Sequence, residues 1–73
     1  MKELDVRPML NAGVDPFDDI MAFVAELRAG EGFRLWATFR PNPLLNVLAH
    51  RGYEGQAREI SDGNWAIDFT PTT

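Results

Sequence analysis

The segment that most constrains the fold is a helix start at Asp15-Pro16-Phe17-Asp18. An Asp before a helix accepts hydrogen bonds from free backbone N–H groups, and Pro suits the first helical position. Asp18 follows Asp15 in the register of a capping box. Apolar residues then recur at helical spacing up to Leu27, and Gly30 supplies a C-terminal stop. We predict a helix over residues 16–28.

Alternating segments on both sides of this helix predict strands. Residues 2–7 alternate apolar and polar side chains before Pro8 ends the pattern. Residues 33–40 alternate almost throughout, which predicts a strand with one inward face formed by Phe33, Leu35, Ala37 and Phe39. Residues 8–14 contain turn residues without a sustained period, so we predict a loop there.

The C-terminal half predicts a second helix and two further strands. Asn42 before Pro43 repeats the earlier helix start, with Asn42 as the N-cap, and Gly52 closes the short helix. We predict a strand over residues 53–60, a turn over 61–64 and a final strand. The inward face of that final strand carries Trp65, Ile67 and Phe69, and residues 71–73 form a frayed tail.

The predicted element order is β-α-β-α-β-β in a single domain over residues 1–73, ordered from about residue 2 to residue 70. Both helices must bury their apolar sides on a sheet, and strand–helix–strand connections are right-handed. Both helices therefore lie on the same face. The expected fold is a two-layer α/β sandwich of the α+β kind, with a four-stranded mixed sheet whose other face is open.

Composition limits the classes of function. A chain of 73 residues with 45% apolar residues and no Cys gains its stability from apolar burial, without disulfides or Cys-based metal sites. The net charge of −4 and the scattered basic residues argue against nucleic acid and anionic membranes as partners. The N-terminus has no apolar run typical of a signal peptide or an anchor. We expect a cytoplasmic protein, because the lack of Cys fits a reducing compartment.

Several segments resemble the TusA/SirA-like superfamily. Leu4-Asp5-Val6-Arg7, the Pro-led helix ending in Gly30-Glu31 and the predicted element order carry this resemblance. Proteins of that superfamily are small sulfur carriers with a Cys-Pro-x-Pro motif at the start of the first helix. The chain is more similar to an uncharacterised branch, a domain of unknown function. The segments that match this branch are Pro41-Asn42-Pro43-Leu44, Arg51-Gly52-Tyr53 and Gly63-Asn64-Trp65-Ala66-Ile67.

The chain departs from the superfamily at the position that carries its chemistry. Where the sulfur carriers have Cys-Pro, this chain has Asp15-Pro16. A helix N-terminus stabilises a thiolate, but a carboxylate cannot hold a persulfide. Many members of the uncharacterised branch have His-Pro there and a second His near the second helix, where this chain has Phe39-Arg40. Metal or haem ligation by those histidines therefore does not carry over.

One edge of the predicted sheet collects candidate ligand-binding residues. Arg7 and Arg40 end two parallel strands, whereas Asp15 and Asn42 open the two helices. Ligands bind at the carboxyl ends of such strands, and arginines beside helix N-termini suit a small anion. Asp15 opposes an anion. The alternative is structural, with Arg7 paired to Asp15 or Asp18.

The open sheet face is a candidate partner-binding surface. Trp36 alternates with inward residues, so it points away from the helices together with Arg34 and Thr38. An exposed Trp beside Arg is typical of interface hot spots, and a homodimer through this face is one form of such an interface. The alternative is that Trp36 covers its own sheet face against neighbours such as Ala66.

Two further clusters favour structural roles. Asp15, Asp18 and Asp19 are typical of a helix start, so we do not expect them to bind a divalent cation. His50 is the only His and lacks the partners that a metal ligand or a general base needs. We expect no catalytic residue, no metal and no cofactor.

The function predicted from these features is a non-enzymatic binding or accessory module that recognises a partner protein or a small ligand. This prediction is based on an element order that resembles the superfamily and on the lack of Cys at the position where the sulfur carriers have it. The alternative is a carrier or enzyme of sulfur or redox pathways, which acts through Asp15 or a bound cofactor in place of the missing Cys. The sequence identifies neither the ligand nor the partner.

Overall fold

The computed structural model describes residues 1–72, which form four strands and three helices. The strands are β1 (Lys2–Asp5), β2 (Phe33–Ala37), β3 (Tyr53–Ser61) and β4 (Asn64–Pro71). The helices are α1 (Arg7–Asn11), α2 (Phe17–Ala25) and α3 (Asn42–His50). None of these helices is long and apolar enough to cross a membrane.

The sheet is mixed and has the strand order β1-β2-β4-β3. β1 pairs parallel with β2, because α1 and α2 lie between them in the chain and return it to the same end of the sheet. β4 pairs antiparallel with both β2 and β3. The predicted α+β fold with a four-stranded mixed sheet is confirmed, with one additional helix.

The core lies between one face of the sheet and the helices. Alternate residues of β2 and β4 supply its largest side chains, and the rings of Phe33 and Phe69 stack with their centroids 5.0 Å apart. α2 and α3 each add two buried apolar side chains one helical turn apart. These are Ile20 and Val24 from α2, and Leu44 and Leu48 from α3.

The prediction of a loop over residues 8–14 is wrong for residues 8–11, which belong to the helix α1 (Arg7–Asn11). Pro8 lies in the first turn of α1. N–H groups in the first turn have no partner within the helix, so the lack of an N–H on Pro8 costs no hydrogen bond. The N–H of Leu10 donates to the carbonyl of Val6 over 3.0 Å. The first strand therefore ends at Asp5 and not at Arg7.

The prediction that β2 extends to residue 40 is also wrong. β2 ends at Ala37, which pairs with Trp65 near the start of β4. Beyond that point β2 has no partner strand, and the chain turns toward α3. Phe39 consequently leaves the inward face and is 51% exposed.

Smaller differences occur at the ends of other elements. α2 ends at Ala25 and not at residue 28. The predicted N-cap Asn42 lies inside α3 and makes no capping hydrogen bond, because Pro41 precedes the helix. Pro71 belongs to β4 and not to a frayed tail, and the N–H of Thr72 donates to the carbonyl of Gly52 over 2.9 Å. Thr73, the rest of the predicted tail, lies outside the described residues.

Candidate functional site

A groove opens where β1 and β2 end and where α2 and α3 begin, and we call it the apolar groove. It has a volume of about 510 Å³. Its position matches the edge at which ligands bind in α/β proteins, outside the carboxyl ends of parallel strands. The groove is lined by Val6, Leu10, Gly13, Val14, Asp15, Pro16, Phe17, Ile20, Leu35, Ala37, Phe39, Pro41, Pro43 and Leu44.

The rim of the apolar groove exposes large apolar side chains. Val14 is 49% exposed, Phe17 is 43% exposed and Phe39 is 51% exposed. Within residues 1–72, the other exposed large apolar side chains are Met1 and Ile60, which do not line this groove. Apolar surface that collects around one concavity is typical of a binding site, whereas single exposed apolar residues are ordinary.

Asp15 is the only charged residue that lines the apolar groove. Its Oδ1 accepts a hydrogen bond of 2.9 Å from the backbone N–H of Phe17. The prediction of Asp15 as the N-cap of a helix that begins at residue 16 is wrong by one residue, because Pro16 is the N-cap and α2 begins at Phe17. The Asp15 side chain forms no ion pair within residues 1–72. Its charge is therefore available to a molecule in the groove.

The structure does not bring Arg7 and Arg40 together. Arg7 begins α1, and its side chain turns to the open sheet face, where Nη2 lies 2.8 Å from Oδ2 of Asp5. Its Nη1 donates to Oδ1 of Asn64 over 2.9 Å. Arg7 therefore pairs with Asp5 and not with Asp15 or Asp18, because β1 ends two residues earlier than predicted.

Arg40 and Asn42 lie outside the apolar groove. The guanidinium of Arg40 donates to the side-chain oxygen of Asn42, and both residues are exposed. Arg40 borders a smaller hollow between α3 and β3. Of the four predicted ligand-binding residues, only Asp15 lines the groove, so the expected arrangement of two arginines around a small anion is not formed.

Trp36 lies on the open sheet face with Arg34, as the alternation predicts. Its indole Nε1 donates to Oε1 of Glu3 over 2.8 Å. The guanidinium carbons of Arg7 and Arg34 lie 5.1 Å and 5.7 Å from its ring centre, within the range of cation–π contacts. Ala66, directly opposite Trp36 in the sheet, is only 1% exposed. These contacts favour the alternative in which Trp36 covers its own sheet face.

Thr38, the third predicted partner-binding residue, follows the end of β2 and is half-buried. It therefore lies beyond the paired part of the sheet. Arg34 and Trp36 thus lie in contact on the open sheet face, and partner binding by this face stays a prediction.

Two ion pairs lie on the open sheet face, one within the chain between Asp5 and Arg7 and one across two strands between Arg34 and Asp68. Hydrogen bonds from the Arg7 guanidinium hold the pKa of Asp5 below its ordinary value. Arg34 and Asp68 face each other on β2 and β4 with two hydrogen bonds, of 2.6 Å and 3.0 Å. These bonds likewise lower the pKa of Asp68. Both carboxylates are thus held in the charged form by arginines of the same face.

The ion pair of Asp68 makes a prediction about acid stability. Its folded-state pKa is lower than the value of about 3.9 in an unfolded chain, so the pair stabilises the fold above that pH and loses its contribution as the pH falls through the folded-state pKa. We expect Asp68→Asn to lower the free energy of unfolding by about 1 kcal/mol near neutral pH. The loss should shrink in strong acid.

Urea unfolding between neutral pH and strong acid measures this change in the free energy of unfolding. Asp62→Asn, in the exposed turn between β3 and β4, is the matched control and should change stability little at any pH. A loss for Asp68→Asn that is the same at every pH would contradict a charge-dependent role of this pair.

The remaining titratable residues include His50 and the acidic residues at the start of α2. Within residues 1–72, no group of three or more Asp, Glu or His side chains is arranged to hold a metal ion. Nδ1 of His50 lies 2.8 Å from the carbonyl oxygen of Asn46 in the same helix, so it bonds within α3.

The sequence predicts candidate residues at the edge of the sheet where the apolar groove lies, but it does not predict the apolar character of that groove. Alternation assigned Phe39 to the core, and Val14 belonged to a predicted loop without a role. The signal for Phe39 was Pro41, because Pro cannot continue a central strand and the chain must turn before it. The signal for Arg7 was the alternation of residues 4–7, which places Arg7 on the same face as Asp5, opposite the buried Val6.

Comparison with known proteins gives a family without a known activity. No curated protein and no solved structure matches the chain significantly. A family model described as "Uncharacterized conserved protein (DUF2249)" matches residues 3–71. Because this match extends over nearly the whole chain, the protein belongs to the DUF2249 family.

Proposed function

We propose that this chain is a cytoplasmic, non-enzymatic binding module whose apolar groove takes a small molecule with an apolar body and a cationic group. The observation that carries the proposal is the set of exposed apolar side chains, Val14, Phe17 and Phe39, around the unpaired carboxylate of Asp15. Asp15 is the one titratable residue in the lining of the groove, which carries no Ser, Thr, His or Lys, and this composition favours binding over catalysis.

The size and lining of the groove support an apolar small molecule. A volume of about 510 Å³ falls within the range of small-molecule sites, which is about 300–1,000 Å³. Such sites are mostly apolar and contain a few polar groups that fix orientation. Burial of the half-exposed rings of Phe17 and Phe39 by a ligand would supply the main driving force.

The charge of Asp15 supports a cationic group on the ligand. The groove contains no Lys, Arg or His, so nothing in its lining attracts an anion except the start of α2. Asp15 already accepts a hydrogen bond from that helix start and offsets its partial positive charge. The net charge of −4 also attracts cations, as the Asp15 carboxylate does.

The resemblance to the TusA/SirA-like superfamily supports the same location. Those sulfur carriers have their Cys at the start of the first long helix, and Asp15-Pro16 of this chain lines the apolar groove. Membership of that superfamily is part of the proposal. It would make this chain a relative that keeps the ligand-facing helix start and replaces covalent sulfur chemistry with reversible binding.

A matched pair of probes tests the proposed ligand class. Phenylpropylamine and phenylpropionate have the same apolar body and opposite charges. We expect the amine to shift the amide resonances of Val14, Phe17 and Phe39 in titrations of the labelled protein. It should bind about fivefold more tightly than the carboxylate, because an exposed charge contributes about 1 kcal/mol. Asp15→Asn should remove this preference without removing binding.

Control variants and other outcomes make the test decisive. Trp36→Ala alters the open sheet face and should leave the binding of the amine unchanged. Equal affinity of wild type for both probes would contradict the role of Asp15. Resonance shifts confined to residues outside the groove, or a response only to apolar peptides, would contradict the proposed small-molecule site.

A further inference from the structure

The outer edge of β3 is a long strand edge that is free within residues 1–72. β3 spans nine residues and pairs on one side only, with β4. Unpaired backbone N–H and C=O groups along such an edge are a template for another strand. We propose that β3 pairs antiparallel with β3 of a second copy of this chain, around a two-fold axis at Gln56. The two four-stranded sheets then form one continuous sheet.

The hydrogen bonding of β4 determines which backbone groups of β3 point outward. The N–H of Thr72 donates to the carbonyl of Gly52, so Gly52 directs its carbonyl toward β4. In an antiparallel ladder, alternate residues direct both backbone groups to the same neighbour. With the observed register, the residues that face β4 are Gly52, Glu54, Gln56 and Arg58. The residues whose backbone groups face outward are Tyr53, Gly55, Ala57 and Glu59.

These outward groups fit a two-fold axis at Gln56. In that register, Gly55 lies opposite Ala57 of the second copy, and Tyr53 lies opposite Glu59 of the second copy. Each such pair exchanges two backbone hydrogen bonds, since all of these groups point into the interface. Gln56 then lies opposite its own copy in a position without backbone hydrogen bonds, where side chains come closest.

The charges of β3 select this register. Glu54 and Arg58 are exposed on the open sheet face, and neither forms an ion pair within residues 1–72. An axis at Gln56 places Glu54 opposite Arg58 of the second copy, and symmetry produces the same pair twice. A shift of the axis to Gly55 or Ala57 keeps the backbone groups aligned but removes both charge pairs. Opposite charges across strands stabilise pairing, so the Gln56 register is favoured.

The helix side of the same edge is also incompletely covered. A hollow of about 330 Å³ lies between α3 and β3, and its lining includes Leu45, Ala49, Tyr53 and Gly55. On the side of the sheet that carries the helices, the residues next to the two-fold axis are Gly55 and Ala57. Both are small enough to let the two copies approach closely. A second copy at this edge would cover the half-buried side chains of Leu45 and Tyr53.

Charge reversal tests the register directly. The wild type should show a monomer–dimer equilibrium in sedimentation experiments from micromolar to millimolar protein. Glu54→Arg and Arg58→Glu each place like charges opposite one another, so each should weaken the dimer by about tenfold. An equimolar mixture of the two variants restores both opposite-charge pairs in a heterodimer. The mixture should therefore associate more strongly than either variant alone.

Other results would overturn the proposal. A wild type that stays monomeric at millimolar concentration contradicts it, as does a mixture that associates no better than its components. Ala57→Pro removes an outward N–H at the interface and should abolish the dimer. Circular dichroism and urea unfolding verify that each variant remains folded. Retention of the dimer in folded Ala57→Pro would place the interface elsewhere, for example on the Trp36 face.

Discussion

Replacement of Phe33 by Ala is expected to lower the free energy of unfolding by about 3–5 kcal/mol. The Phe33 side chain is completely buried, and its ring packs against three other aromatic rings. The centroid distances are 5.0 Å to Phe69, 5.4 Å to Phe23 and 6.3 Å to Tyr53. Such a loss is a large part of the roughly 5–10 kcal/mol available to a domain of this size. Urea unfolding followed by circular dichroism measures it.

Phe39→Ala is the matched control, because the same side chain is removed from the groove rim instead of the core. Phe39 is 51% exposed, so we expect a cost below about 1 kcal/mol. The variant should instead weaken the binding of phenylpropylamine. If Phe39→Ala destabilised the chain as much as Phe33→Ala, then Phe39 would occupy the core position that simple alternation predicts.

Gly32→Ala is expected to destabilise the chain by about 3 kcal/mol, near the upper end for overpacking. A Cβ at residue 32 would lie 2.5 Å from the carbonyl oxygen of Phe69. That oxygen belongs to the backbone of β4, where Phe69 pairs with Phe33 of β2. It cannot move aside without disturbing the strand pairing, whereas a side-chain contact could relax by rotation.

Gly30→Ala separates this effect from the general cost of replacing a glycine. Gly30 has a φ of 80°, but a Cβ there meets nothing within 4 Å. Its substitution should cost only the strain of a left-handed backbone, about 1 kcal/mol. Urea unfolding of the two variants measures the difference. If Gly32→Ala were no more costly than Gly30→Ala, the close approach of Gly32 to Phe69 would have no energetic consequence.

Local patterns predict those parts of this fold that depend on local chemistry. The start of α2 is visible to within one residue, because the preferences of Asp and Pro for helix starts act within one helical turn, although α2 begins at Phe17 and not at Pro16. The alternation of β2 is visible because side chains of a strand point to opposite faces with a period of two. The burial of Phe33 and Leu35 confirms that pattern.

The parts that local patterns do not predict depend on distant partners. β2 ends where β4 begins near Asn64, and only Pro41, two residues after Phe39, indicates that limit in the nearby sequence. The helix α1 has only five residues, too few to be stable without tertiary contacts. Its sequence contains turn residues and no sustained helical period, and for that reason it predicts a loop. The Arg7 side chain lies on the open sheet face with Asp5 and Trp36, and for that reason the predicted cluster with Arg40 does not form.

The central claim is that the apolar groove binds a small cationic molecule, and intermolecular nuclear Overhauser effects test it most directly. The measurement uses phenylpropylamine bound to the wild-type protein. We expect contacts from the phenyl ring of the probe to the methyl groups of Val14 and to the rings of Phe17 and Phe39. Contacts to Trp36 on the open sheet face, or no contacts at saturating probe, would contradict the account.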